Sequence, residues 1–369
     1  MIYEALVKPM LFRMEPEEAH DFVLRNLQRI QRQPGLLYLI EKLYGVREEP
    51  GLASELLGIR FPSPIGLAAG LDKDARAVPA LSSMGFGFME VGSVTPIGQA
   101  GNDRPRLFRL PDDEALINRM GFNNGGIHAM KERLESCNAL KIPLGINIGK
   151  NKRTPNEKAH EDYTRCLRSL YPYADFFIIN MSSPNTPSLR KLQYGSELDE
   201  LLIRIAAETE RLNARHRGDK PVFVKIAPDM DGGELENMIG KIMKHGIPGV
   251  IAANTTVTRG GLTHPHREET GGLSGKPLHL KSTEIIRSIY KQSGGTLKII
   301  GSGGIFTARD VYDKIRAGAS LVEIYTSFIY KGPGINRQCS SELLDLLKRD
   351  GFASLSEAVG ADHAAGSGA

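Results

Sequence analysis

Along this chain of 369 residues, apolar positions come in blocks. Eight short runs are rich in apolar residues: 64–70, 88–94, 144–150, 176–182, 221–227, 249–255, 297–303 and 321–327. None alternates strictly, which is the pattern of strands buried on both faces. Between most of them lie segments with apolar residues at helical spacing, such as 198–217 and 234–245. Eight parallel strands alternating with helices predict a closed (β/α)8 barrel, and the length from Ile59 onward suits one barrel of roughly 250 residues with modest insertions.

The ends of these runs are polar. The fourth passes from Phe176-Phe177-Ile178-Ile179 into Asn180-Met181-Ser182-Ser183-Pro184-Asn185-Thr186-Pro187. Alone, this stretch reads as a Ser-Pro turn whose serine caps the next helix. Similar polar clusters close the other seven runs, and the C-terminal ends of barrel strands are where chemistry is carried. The fifth run holds a lysine, Lys225, inside Val222-Phe223-Val224-Lys225-Ile226. A charge in an apolar strand is costly unless paired, so an anionic partner is expected there. The seventh run ends in Gly301-Ser302-Gly303-Gly304 and the eighth in Tyr325-Thr326. Loops after strands seven and eight are the usual phosphate site of this architecture.

Residues 1–48 stand outside the barrel pattern. Apolar residues in 2–12 and 36–43 flank a second helix that starts at Pro16, where Ala19, Phe22, Val23, Leu27 and Ile30 recur at helical spacing beside Arg25, Arg29 and Arg32. Such helices suit a membrane surface; they also suit a cap on the barrel floor. The expected division is therefore 1–48 as a helical segment, 49–363 as the barrel, and 364–369 as a frayed tail of small residues.

Composition adds limits. The net charge of +4 is small and dispersed, and no basic run is interleaved with aromatics, which argues against nucleic acid. The 3 cysteines, Cys137, Cys166 and Cys339, have neither metal-ligand nor redox spacing, so no metal is expected and a reducing compartment is. No run approaches the roughly 18 apolar residues of a membrane span, and no signal-peptide pattern opens the chain.

Five motifs carry a resemblance. Ala68-Ala69-Gly70-Leu71-Asp72-Lys73, Asn118-Arg119-Met120-Gly121-Phe122-Asn123, the Ser-Ser-Pro-Asn-Thr stretch, Gly271-Gly272-Leu273-Ser274-Gly275 and Gly301-Ser302-Gly303-Gly304 resemble, in order, those of the dihydroorotate dehydrogenases. The likeness runs from about residue 1 to 363. The helical extension with Pro16-Glu17-Glu18-Ala19-His20, and a serine at 183 in place of cysteine, resemble the quinone-dependent, membrane-associated class. Ser93 departs from the threonine of many relatives. The resemblance implies FMN as cofactor, dihydroorotate and orotate as substrate and product, and a membrane quinone as acceptor. It also implies a peripheral place on the cytoplasmic side of a bacterial cell membrane. Carried over residue by residue, it implies Ser183 as the base. Ala69, Gly70, Leu71, Asp72, Lys73, Ser93, Asn147, Asn180, Lys225, Ala253, Gly275, Gly304, Tyr325 and Thr326 would hold the flavin. Lys73, Asn118, Arg119, Met120, Gly121, Phe122, Asn180, Asn185, Asn254 and Thr255 would hold the substrate. His20 and Arg109 would lie near the quinone headgroup.

The residue types suit that chemistry. Dihydroorotate loses a proton from one ring carbon and a hydride from its neighbour, so the site needs a base on one face and a hydride acceptor on the other. Serine is a weak base and must shed its own proton as it takes the substrate's, with Thr186 and a water as candidate relays. Asparagine amides match a ring edge that alternates N–H and C=O. The stretch 184–195, rich in turn formers and holding Arg190 and Lys191, is expected to form a mobile lid. Two other readings remain open: another flavin-barrel oxidoreductase acting on a pyrimidine, and an inactive barrel at the membrane surface.

Overall fold

A computed structural model describes residues 3–137 and 140–364; of the tail expected over 364–369, residues 365–369 lie outside the described residues, as do Met1 and Ile2. Barrel strands β1 (Ile65–Leu67), β2 (Phe88–Val94), β3 (Leu144–Ile148), β4 (Phe176–Asn180), β5 (Val222–Lys225), β6 (Gly249–Ala252), β7 (Lys298–Ser302) and β8 (Leu321–Ile324) pair in parallel and in chain order, β8 closing on β1. Every predicted run supplies one strand. Most of the strands end two or three residues before their runs do, because the polar clusters turn away from the barrel as loops.

The barrel interior is filled from below. A hairpin of Ser54–Leu56 and Ile59–Phe61 places Leu56 and Phe61 against Phe88, Phe176, Phe223, Ile251 and Ile300. Phe61 meets Phe88 edge-on at 5.5 Å. The floor is thus plugged by the hairpin, which the sequence pattern did not single out.

Helices α1 (Lys8–Phe12), α2 (Pro16–Ile30) and α3 (Pro34–Tyr44) precede it. Pro16 opens α2 as expected. This segment does not cap the floor. His20 on α2 reaches the chain just beyond β1, at the C-terminal end of the strands, and Glu17 is buried against Arg106 through bonds of 2.7 and 3.0 Å. Burial would lift the Glu17 carboxyl, but Arg106 and Arg104 hold it below the ordinary carboxylate range. Leu11, Ala19, Leu24 and Leu27 face inward, whereas Leu6, Met10, Phe22, Tyr38, Leu39 and Leu43 are 40–69% exposed. Leu11 and Val23 therefore pack toward the protein, while Tyr38 and Leu43 belong to the exposed apolar face. Among the described residues, no helix is long and apolar enough to cross a membrane.

A second sheet stands at the mouth. Leu107–Leu110, Ala115–Asn118 and Gly272–Gly275 form three antiparallel strands, with Asn118 opposite Gly272. Two motifs, one after β2 and one after β6, are thereby joined edge to edge over the strand ends.

Candidate active site

The strand ends, α2 and the mouth sheet enclose a cavity of about 1250 Å³, counting the solvent at its opening. Most predicted site residues line it: Ala69, Gly70, Lys73, Ser93, Asn180, Ser183, Lys225, Ala253, Asn254 and Thr255 from the strand ends. Asn118 and Gly275 end strands of the mouth sheet, Met120, Gly121, Phe122 and Asn185 come from the loops beneath it, and Gly304, Tyr325 and Thr326 from beyond β7 and β8.

Ser183 follows β4 by three residues, is 7% exposed, and its Oγ accepts a hydrogen bond from the Asn185 amide at 3.3 Å. The Thr186 hydroxyl is buried and has no partner among the described residues. An unpartnered hydroxyl in a polar pocket is a place for an ordered water. Around the serine the amides interlock. Asn185 Nδ2 donates to Asn118 Oδ1 at 3.1 Å, Asn254 Nδ2 to Ser182 Oγ at 2.9 Å, and Asn180 Nδ2 to Ser93 Oγ at 2.9 Å.

The loop expected to be a lid divides in two. Arg190 donates at 2.9 Å to the Ser182 carbonyl, to Asp229 beyond β5 and to the Thr255 carbonyl beyond β6. Leu189, Leu192 and Gln193 are buried, and Gln193 accepts from the Ala227 amide. Residues 189–193 are pinned, so any lid is confined to residues 184–188, where Pro187 and Ser188 are exposed.

Lys225 finds its anionic partners within the protein. Its ammonium lies 2.6 Å from Glu323 and 3.7 Å from Glu90, both carboxylates fully buried. Burial alone would lower its pKa, but the two carboxylates outweigh it and raise the value above that of an ordinary lysine. Burial and the charge of Glu323 push Glu90 well above the carboxylate range, while Lys225 holds Glu323 below it despite burial. The cluster is neutral with the proton on Glu90, which also accepts from Asn147 at 3.0 Å. The lysine's charge thus needs no anionic ligand. Glu90 and Glu323 carried the same signal as Lys225, a charge within an apolar strand, and were missed.

Five other predicted residues do not line the cavity. Asp72 is wholly buried and accepts from the Arg76 and Ala77 amides at 2.8 and 2.7 Å, holding the turn after β1. The Leu71 carbonyl lies 2.6 Å from His20 Nε2. Asn147 stands behind Ser93 and Asn180 as a second layer. Arg119 turns outward to Glu269 at 2.6 Å. Arg109 donates to the carbonyls of Leu11, Phe12 and Met14 and lies 4.6 Å over the Phe12 ring, clamping the end of α1 to the mouth sheet. His20 does line the cavity, but burial and the nearby Lys73 push its pKa down to about 4. At neutral pH it is an uncharged ring, not a cation.

On the side of β7 and β8, Gly303 and Gly304 carry φ of +107° and +71°, a conformation that favours glycine. A Cβ on Gly304 would fall 2.3 Å from the His279 amide nitrogen. Facing them, Thr326 and Ser327 open the short helix Thr326–Lys331, and the buried Ser327 hydroxyl lacks a partner among the described residues. Backbone amides plus an unpartnered hydroxyl fit a phosphate.

A closed barrel with a polar pocket at the strand ends and this cradle defines a (β/α)8-barrel enzyme. The chain belongs to the dihydroorotate dehydrogenase family, whose model matches residues 51–347. It is 49% identical to the dihydroorotate dehydrogenase (quinone) of Deinococcus radiodurans over 96% of this chain and 98% of that protein. The Yersinia enterocolitica enzyme of the same name is also 49% identical, over 90% of this chain and 98% of its own. A ligand-free crystal structure of DHODH from Eimeria tenella superposes with a TM-score of 0.86 at 40% identity, covering 94% of this chain and 99% of that one. A second, in complex with ferulenol, gives 0.84 at 39% identity over 94% and 96%.

Proposed function

We propose that this chain oxidises dihydroorotate to orotate in pyrimidine biosynthesis, with Ser183 as the base, FMN in the cavity, and a membrane quinone as the final acceptor. The observation that carries the reading is the buried Ser183 hydroxyl beside interlocked amides at the mouth of a barrel of this family. When bound, FMN supplies the hydride acceptor. Gly303, Gly304, Thr326 and Ser327 would hold its phosphate, and Ser93, Asn180 and Ala253 its ring edge.

The chain's residues divide the rest of the work. Asn118, Asn185 and Asn254 orient the pyrimidine by matching its donors and acceptors, where an unpaired buried group would cost ~1–3 kcal/mol. The Ser183 Oγ takes the ring proton as its own proton leaves toward Thr186 and solvent. Arg190 holds the Ser182 carbonyl and so fixes the turn that presents Ser183. Lys73, with Nζ 2.7 Å from the Gly70 carbonyl, offers an ammonium to the substrate carboxylate. The exposed apolar face of α1–α3, flanked by Arg25, Arg29 and Arg32, suits a peripheral seat on lipid from which quinone enters.

The direct test is whether the purified protein is yellow and bleaches anaerobically with dihydroorotate. A colourless protein, or a yellow one that bleaches only with another pyrimidine, would reject the assignment. A pH dependence follows from Lys73, whose pKa burial pushes down to about 8. The ammonium is present below that value and lost above it. Orotate should therefore bind progressively more weakly as pH rises through about 8, and Lys73→Met should bind weakly with little pH dependence. An unchanged orotate affinity up to about pH 10, near the free lysine pKa, would remove Lys73 from the carboxylate.

A further inference from the structure

A second buried lysine is not used by the reaction. Lys314, on the helix Ala308–Arg316 behind β7, has no exposed surface. Among the described residues its ammonium meets only neutral oxygens: the Ser282 hydroxyl, the Thr283 hydroxyl at 3.0 Å and the His279 carbonyl at 3.3 Å. All three belong to the first turns of the helix His279–Ser293. That end of a helix carries the positive pole of its dipole, so a cation is doubly disfavoured there. The charged groups that face it are engaged elsewhere. Asp310 and Asp313 on its own helix lie 3.6 and 3.7 Å from the His279 ring, and Asp313 also pairs with Arg309 at 2.8 Å. Gly301 of β7 packs on the lysine stem and brings no charge. A buried ammonium in such a place calls for an anion close by.

The glycine cradle is that close. Ser282 Oγ, bonded by Lys314, donates to the Gly303 carbonyl at 2.9 Å, and Gly304 packs directly on the His279 backbone. We propose that Lys314, acting through Ser282 and the first turn of the His279–Ser293 helix, is a positioning charge that holds the phosphate of the cofactor in the Gly303–Gly304 cradle. The proposal rests on the flavin reading above. It makes the lysine a determinant of phosphorylated over unphosphorylated flavin, without touching the ring or the substrate. Burial pushes the Lys314 pKa down to about 7, with Asp310 and Asp313 pulling only weakly the other way. A dianion arriving nearby would raise it again, so phosphate binding should draw a proton into the protein.

The experiment compares FMN with riboflavin on the full chain stripped of flavin. Lys314→Met should weaken FMN roughly tenfold or more, as expected for removing a buried unit charge two hydrogen bonds from the cradle of a dianion, and leave riboflavin affinity unchanged. In wild type at about pH 8, above the ~6 second pKa of a phosphate, calorimetry in buffers of different ionisation enthalpy should show proton uptake with FMN and none with riboflavin. Equal weakening of both flavins, or no weakening, would overturn the proposal. So would wild-type FMN binding without proton uptake, a measurement that stands even if Lys314→Met fails to fold. Uptake that persists in Lys314→Met but vanishes in His279→Gln would assign the proton to His279 and overturn it too. If wild type binds neither flavin, it is the flavin reading that fails.

Discussion

Ser183→Ala should leave a yellow flavoprotein whose reduction by dihydroorotate is roughly 10²–10⁴-fold slower, the range for a lost general base. The cofactor should stay bound because Ser183 lies in the loop beyond β4, whereas the proposed phosphate cradle lies beyond β7 and β8. Among the described residues lining the cavity, the other titratable groups are poorly suited to replace it: His20 bonds the Leu71 carbonyl through Nε2 and is a weak base, its pKa pushed down to about 4. The Lys225 ammonium is committed to Glu323, and the Lys73 ammonium is the partner of the carboxylate in this reading. The interlocking amides have no useful basicity. Thr186→Val should slow the same step less, since it removes only the relay hydroxyl and leaves the base in place. Stopped-flow bleaching under anaerobic conditions measures both. An alanine variant within about threefold of wild type would exclude Ser183 as the base.

The second large effect concerns the first 44 residues. Removing residues 2–44 should free the protein from membranes and abolish turnover with long-tailed quinones while dihydroorotate still reduces the flavin, since the proposed dihydroorotate contacts all lie on the barrel and its mouth sheet. The deletion also uncovers Arg106, which loses Glu17, so a milder variant is the cleaner test. Leu6, Met10, Leu39 and Leu43 are 49–69% exposed, and replacing all four with serine should not disturb the core. At about 1 kcal/mol for each half-buried side chain, the loss of roughly 4 kcal/mol amounts to about 10³-fold in partition to lipid. Vesicle flotation and quinone reduction would report it. A quadruple variant that still floats and still reduces long-tailed quinone at the full rate would show that the extension only covers the cavity.

The sequence by itself determined the barrel. Strands buried on both faces must be apolar whatever their neighbours, so each of the eight could be read from its own residues, and the polar clusters at their ends located the site. Pro16 and the spacing after it determined α2 in the same local way. What only the tertiary structure decided were pairings between distant residues. Asn118 and Gly272, 154 positions apart, become neighbours in a sheet that neither segment announces. Lys225 finds Glu323 across 98 residues, a neutralising partner inside the protein that its own strand does not announce. Lys314 occupies an ordinary place in an amphipathic helix; only the fold sets its ammonium at the positive end of another helix behind the glycine cradle. Local sequence records whether a residue prefers to be buried. Whether a buried charge is neutralised depends on what the folded chain brings beside it, and here that separates a paired Lys225 from a Lys314 still in want of an anion.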